Sequence, residues 1–403
     1  MLYPSGMIIP GRARCHRFYD KKIHNMKTGK FNRDEYIMRN FSKTKRIVVK
    51  VGTNVLSKDG GVDTSFLRVI AKQISELIRQ KKQVILVTSG AIGMGCGALG
   101  LRGKIKEVKK RQACAAVGQS ILMHEYQKAF NRYNQNVAQV LLTNDILNNR
   151  RYYVNLKNTV EALLSMSVVP IINENDCVSI EEIGLAFGDN DKLSALVASK
   201  IDAELLIMLT DVDGLYDRNP RQAQQARLIP VVPEITDEIV AMAGAAGSEF
   251  GTGGMASKIN AIHIAAHGGC KVVLAHGRAR NVIINIVEGR ETGTLFLPKR
   301  RLSNRKRWIL NSHPEGKIEI DSGAVNALKS HRSLLMVGIT EVRGDFAAGA
   351  VVEISNVAKG ICDLSAEDLG TMIKQKKLQN KSSSQTKKRK AVVHADNIVL
   401  YDI

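Results

Sequence analysis

Two lysines stand where the chain is built to meet an anion. The stretch Gly251-Thr252-Gly253-Gly254-Met255-Ala256-Ser257-Lys258 carries glycine at three of its first four positions. Lacking a Cβ, such a backbone turns its N–H groups toward a ligand at close range. Met255, Ile259, Ile262 and Ala266 follow at helical spacing. The loop therefore opens on a helix N-terminus, whose orphan N–H groups and dipole favour negative charge. Lys258, in the first turn, adds a full positive charge. Together these features read as a phosphate cradle, although the G-x-x-x-x-G-K-[ST] order of a Walker loop is absent. The competing reading is a plain glycine turn before a helix that carries a lysine. The second lysine, Lys50, interrupts the apolar run 47–51. A charge in such a run needs a partner or water. Gly52 and Thr53 follow it in a turn suited to ligand approach; a strand-end lysine reaching solvent is the alternative.

Polar residues cluster at other strand ends. The run 84–87 leads into Thr88-Ser89-Gly90-Ala91, and 168–172 into Asn173-Glu174-Asn175-Asp176. Gly188-Asp189-Asn190-Asp191-Lys192 opens a helical pattern, and 205–209 ends in Thr210-Asp211-Val212-Asp213-Gly214. Ser89 has neither a histidine nor a paired acid nearby, so it reads as a hydrogen-bonding hydroxyl rather than a nucleophile. The Asn/Asp clusters suit an amino acid's ammonium and carboxylate, or else form Asx turns and caps. Asp211 or Asp213 binds a metal or positions a nucleotide, or forms a β-turn.

These loops need elements to hold them. Apolar residues 66, 67, 70, 74, 77 and 78 predict a helix capped by Thr64 or Ser65. Helices are also predicted over 108–133 and 155–165, and a strand over 137–142. Strand, loop, helix, strand is the grammar of a parallel α/β sheet, with ligands at the C-terminal strand edge.

Length and composition bound the rest. A chain of 403 residues predicts two domains. No apolar run nears the ~18 residues of a membrane span. Six scattered cysteines without a C-x-x-C pair argue against a disulfide framework or zinc site and for a reducing compartment. The net charge of +21 is unevenly placed. Residues 1–46 contribute +9 and residues 374–390 contribute +8, leaving +4 for everything else. The basicity therefore belongs to two tails rather than to the folded centre. Residues 1–43 read as a disordered basic extension without the clean amphipathic helix of a mitochondrial leader, so the expectation is a cytoplasmic protein.

Val49-Lys50-Val51-Gly52-Thr53, Val87-Thr88-Ser89-Gly90-Ala91-Ile92, Ile172-Asn173-Glu174-Asn175-Asp176, Gly188-Asp189-Asn190-Asp191, Leu209-Thr210-Asp211 and Gly251 to Lys258 occur in one order. In that order they resemble the glutamate 5-kinases of the amino acid kinase family over about residues 45–300. The resemblance implies an open, mostly parallel sheet sandwiched by helices. It implies catalytic roles for Lys50, Lys258 and Asp191, with Asp191 holding the two lysines; Asp189 is close enough to contest that place. Ser89, Asp176 and Asn190 match glutamate-binding positions. Lys50, Thr210, Asp211 and Thr252, Gly253, Gly254, Met255, Ala256, Ser257 and Lys258 match ATP-binding ones. The segment between Asp176 and Gly188 is longer than in bacterial members, which leaves feedback inhibition by proline open.

Past Lys299, Asn304-Arg305-Lys306-Arg307-Trp308 resembles the junction before a small PUA-like β-barrel. The resulting division is an extension (1–43), a kinase domain (44–300), a linker (301–314) and a PUA-like domain (315–403) with a lysine-rich insertion at 374–390. The implied reaction moves the γ-phosphoryl of ATP, with Mg²⁺ bridging its phosphates, onto the side-chain carboxylate of L-glutamate, the first step of proline biosynthesis. That carboxylate is ionised near neutrality, so no general base is required. Implied partners are a separate glutamyl phosphate reductase and further copies of the chain in a homo-oligomer, with no membrane. Competing readings are a family member acting on another acid or nucleotide, and an RNA-binding protein with an inactive kinase domain.

Overall fold

The computed structural model describes residues 39–401 apart from 59–60, 102, 104, 144–145, 147–148, 179–189, 221–222, 224, 246–253, 299–301 and 380–390. Eight strands form one sheet: β1 (Arg46–Val51), β2 (Gln83–Val87), β3 (Val137–Leu142), β4 (Val169–Glu174), β5 (Leu205–Thr210), β6 (Val231–Val232), β7 (Lys271–His276) and β8 (Thr294–Phe296). Their order is β3-β4-β2-β1-β5-β7-β8-β6, every pair parallel except β7 with β8. The chain builds outward from central β1 to β2, β4 and β3 on one side and to β5 and β7 on the other. That reversal opens a crevice at the C-terminal strand edge, the usual ligand position in such sheets.

Helices cover both faces because the central strands are apolar on both sides. Ile47, Val49 and Val51 join one core with α1 (Thr64–Arg79), α2 (Ala91–Ala98) and α3 (Val108–Asn131). Val48 joins the opposite core with α4 (Arg150–Ser165), α5 (Asn190–Lys200) and α6 (Met255–His267). Side chains alternate across a strand, so Lys50 shares the face of Val48 and points toward α5 and α6.

Helices α2 and α3 cross at backbone contact. A Cβ on Gly118 would stand 1.8 Å from the Ala91 carbonyl oxygen, and one on Gly95 1.8 Å from that of Cys114. This crossing seats the turn at Gly90, whose φ of +99° is left-handed and suits glycine.

Several boundaries differ from the sequence reading. Asp63, not Thr64 or Ser65, caps α1, accepting from the Ser65 and Phe66 N–H groups. The strand β4 extends through Asn173 and Glu174, which pair with Leu141 and Leu142 of β3, so only Asn175 and Asp176 fall in the following turn. Residues 1–38 of the expected extension lie outside the described residues, but Arg39 and Phe41 are buried. Arg39 donates to the carbonyls of Thr292, Pro230 and Gly293, so the chain is seated before residue 43.

The expected linker 301–314 holds a helix, α7 (Asn304–Asn311), capped by Ser303. Beyond it, β9 (Gly316–Ile320), β10 (Ile339–Arg343), β11 (Val351–Ile354), β12 (Ala358–Ile361) and β13 (Ile398–Leu400) form a second sheet, ordered β10-β9-β11-β12-β13. Leu334–Leu335 and Ala391–Val393 pair as a separate ribbon. The expected insertion begins inside a helix, α8 (Ala366–Gln379), and its remainder, 380–390, is outside the described residues.

Candidate active site

The crevice is lined from the ends of β1, β2, β4 and β5 and from the first turns of α5 and α6. Lys50 Nζ pairs with Oδ1 of Asp191, and Lys258 Nζ stands 3.2 Å from Oδ2 of the same carboxylate. Lys50 is 4% exposed, Lys258 9% and Asp191 1%. Burial alone would raise the Asp191 carboxyl. The charges of Lys50 and Lys258, with their hydrogen bonds, outweigh it and hold the group below the ordinary carboxylate range. These three groups carry one surplus positive charge away from bulk water, a balance that an entering anion improves.

Local geometry supports this placement. A Cβ on Gly52 would lie 3.4 Å from Lys50 Nζ and 3.3 Å from the Leu209 carbonyl oxygen, so glycine leaves the ammonium room. Gly254 caps α6 in extended conformation without any side-chain hydrogen bond to the first turn. Gly90 caps α2 in the same uncapped way. Both helix starts thus present backbone donors toward the crevice.

Asn190, adjacent to Asp191, serves the other side. Its Nδ2 lies 2.6 Å from the Thr88 carbonyl oxygen, 2.9 Å from Ser89 Oγ and 3.0 Å from Asn173 Oδ1. Asn173 donates in turn to Gln119 Oε1 at 2.8 Å, and Thr88 shares a 2.7 Å hydroxyl contact with Tyr126. A buried polar recess results, its members fixed by one another. Asp176 is half-buried in the turn after β4.

On the far side of β1, Thr210 donates to Asp211 Oδ1 at 3.0 Å, and Asn54 donates to Oδ2 at 2.9 Å. Burial raises the Asp211 carboxyl, but these hydrogen bonds and the nearby charge of Lys258 bring it below its ordinary value. Met255 packs against the core beneath α6, Ala256 is exposed, and Ser257 donates to the Gly254 carbonyl at 3.1 Å. Thr252, Gly253 and Asp189 lie outside the described residues.

Lys50, Asp191 and Lys258 thus meet in one place, Ser89 and Asn190 in another beside it, with Thr210 and Asp211 across β1. The sequence reading missed Gln119, Tyr126 and Asn54. Gln119 had a signal: it is a polar residue on the buried stripe Ala115, Leu122 and Tyr126 of α3.

The model of the amino acid kinase family matches residues 45–276, more than half of the chain. The chain belongs to the amino acid kinase family. A PUA domain model matches residues 316–383, and β13, beyond that limit, completes the second sheet. Among relatives, the chain is 46% identical to a glutamate 5-kinase of Methanosarcina mazei over 82% of its own length and 89% of the relative's. It is 43% identical to one of Methanococcoides burtonii over 92% and 99%, and 42% identical to one of Geobacter sulfurreducens over 89% and 98%. Family membership accounts for the mostly parallel sheet, and the full-length matches take in the second domain as well.

Proposed function

We propose that this amino acid kinase transfers the γ-phosphoryl of ATP to the side-chain carboxylate of L-glutamate, giving glutamyl 5-phosphate. The observation that carries this reading is the pair Lys50 and Lys258 converging on Asp191, beside the recess organised by Asn190. Near-full-length similarity to glutamate 5-kinases selects the acceptor.

The chemistry follows from charge. The acceptor is already an anion and so is the phosphate it attacks; repulsion, not proton removal, is the obstacle. Phosphoryl transfer of this kind is mostly positioning and charge neutralisation. A carboxylate oxygen attacks the γ-phosphorus, the bond to the β,γ-bridging oxygen breaks, and ADP leaves with its electron pair. Lys50 and Lys258 neutralise the transferring group and the leaving oxygen. Asp191 holds the two ammonium groups at a fixed spacing before the nucleotide arrives, which removes reorganisation from the reaction. Ser89 and Asn190 orient glutamate, with Asp176 at the edge of the recess. Thr210, Asp211 and the loop from Thr252 through Lys258 hold the nucleotide.

No group of three or more His, Cys, Asp or Glu forms a cation cage among the described residues. Asp191 is committed to two lysines and Asp211 accepts from Asn54 and Thr210. These residues offer no cage of their own, so Mg²⁺ would enter as a companion of the ATP phosphates. Bound so, it adds further neutralisation of phosphate charge.

On the same reading the enzyme works in the cytoplasm as a homo-oligomer. Its labile product passes to a glutamyl phosphate reductase, and proline is the enzyme's candidate feedback inhibitor. These features rest on the sequence resemblance. No helix among the described residues is long and apolar enough to cross a membrane.

The test is ADP release with purified protein against glutamate, aspartate, N-acetylglutamate and no acceptor, with hydroxylamine trapping the acyl phosphate as a hydroxamate. Glutamate-dependent ADP release with matching hydroxamate is expected. Equal turnover without glutamate, or preference for another acceptor, defeats the reading.

A further inference from the structure

Helices α5 and α6 start together and end together. At their N-terminal ends the Asp191–Lys258 pair joins them. At their C-terminal ends they touch so closely that a Cβ on Gly268 would stand 2.7 Å from Ser199 Oγ. They therefore run parallel, and eight to ten residues of helix separate the two junctions, roughly 12–15 Å.

One side chain from outside the kinase sheet ties the far junction. Arg307, on α7, is 3% exposed. Its Nη1 donates to the carbonyl of Ser199 in the last turn of α5 and, at 3.4 Å, to that of Gly268 at the end of α6. Its Nη2 pairs with Asp202, which Lys157 of α4 also holds at 2.8 Å. A guanidinium suits this place: one arm of its planar fork, Nη1, serves both carbonyls while the other, Nη2, meets the Asp202 carboxylate, and its charge complements the negative ends of both helices.

The helix that carries Arg307 is itself gripped by the second domain. Lys359 on β12 donates to the Leu310 and Ser312 carbonyls at 3.0 and 2.8 Å, capping α7 at its C-terminus. Ile309 packs with Val351 and Val399 of the same sheet. A continuous set of rigid parts thus runs from β12 through α7 and Arg307 to the two helices bearing Asp191 and Lys258.

We propose that Arg307 is a positioning residue for phosphoryl transfer, setting the spacing of Asp191 and Lys258 from the far ends of α5 and α6 according to how the C-terminal domain is seated. Its catalytic half rests on the glutamate kinase reading above; its geometric half does not.

The experiment compares full-length wild type, Arg307→Ala, Arg307→Lys and Lys359→Met. Two readouts are taken per folded molecule, with folded fraction set by thermal melting. The first is kcat and KM for glutamate and ATP. The second is the acylation rate of Lys258 by an amine-reactive ester, read by mass spectrometry against exposed Lys329. For Arg307→Ala, kcat is expected to fall about tenfold or more, because small displacements of reacting groups are costly, while both KM values stay within about twofold. Lys258 should label several-fold faster, Arg307→Lys should restore part of both effects, and Lys359→Met should move both in the same direction by less.

A lower melting temperature with wild-type kcat and unchanged Lys258 labelling overturns the proposal, since a purely structural anchor predicts that result. If Arg307→Ala does not fold, Arg307→Lys and Lys359→Met separate a positioning role from a structural one by the same two readouts. If wild type shows no glutamate-dependent turnover, the kinase reading fails while labelling still decides the clamp.

Discussion

Asn190 and Asp191, consecutive at the start of α5, serve opposite halves of one crevice. Asn190 reaches Thr88, Ser89 and Asn173 at the ends of β2 and β4. Asp191 reaches Lys50 of β1 and Lys258 of α6. A single helix N-terminus therefore fixes the acceptor's recess relative to the phosphate-handling lysines, and with it the line along which one anion approaches the other.

Removing Lys258 tests the phosphate side. Lys258→Ala should lower kcat by at least ~100-fold with only a modest change in glutamate KM, because charge on the transferring group is what the side chain neutralises. Steady-state kinetics check this; near-normal kcat would take Lys258 out of the mechanism.

Asp191→Asn keeps shape and removes charge. Two buried ammonium groups would then face each other uncompensated, a loss of roughly 3–5 kcal/mol of stability. The sign with pH is fixed by the depressed carboxyl of the folded state. Its stabilising contribution is complete above the unfolded carboxylate value of about 3.9 and is lost as pH falls through the lower folded value. Urea melts should show a wide gap between wild type and Asp191→Asn near neutrality that narrows below about pH 4. A gap that does not depend on pH would mean the carboxylate is not the source.

Asn190→Ala should separate the two substrates. Its amide bridges three acceptors around the recess, so its loss leaves Ser89 and Asn173 short of a donor. Glutamate KM is expected to rise about tenfold, the size of one or two lost hydrogen bonds, with ATP KM little changed. Equal rises in both would place Asn190 outside the acceptor's recess.

Gly118→Ala adds one methyl on α3, which packs on the opposite face of the sheet from α5 and α6. That methyl would fall 1.8 Å from the Ala91 carbonyl oxygen, so α2 must move or distort. Overpacking of this kind costs about 1–3 kcal/mol or more, and the displaced helix carries Gly90 and the end of the Ser89 loop with it. Thermal melting should show the loss, together with a raised glutamate KM. An unchanged melting temperature would mean that the helices separate freely at this crossing.

The local chemistry was legible in the chain. Apolar runs of strand length each ended in Gly, Ser, Asn or Asp, and helical spacing resumed behind them, because a buried parallel strand must be apolar on both faces and its ligand-facing loop must be small or polar. That pattern yielded the sheet, its active edge and both lysines. It did not yield the contacts made across the sheet. Which face Lys50 takes follows only once Val48 is seen packed under α5 and α6. The bridging carboxylate of Asp191 came from the family resemblance rather than from the pattern, and the Gln119 behind Asn173 and the grip of Arg307 on two helix ends, which join residues 39 to 108 positions apart, came from neither. Such pairings depend on how helices settle on a sheet, through packing energies that no short window of sequence contains.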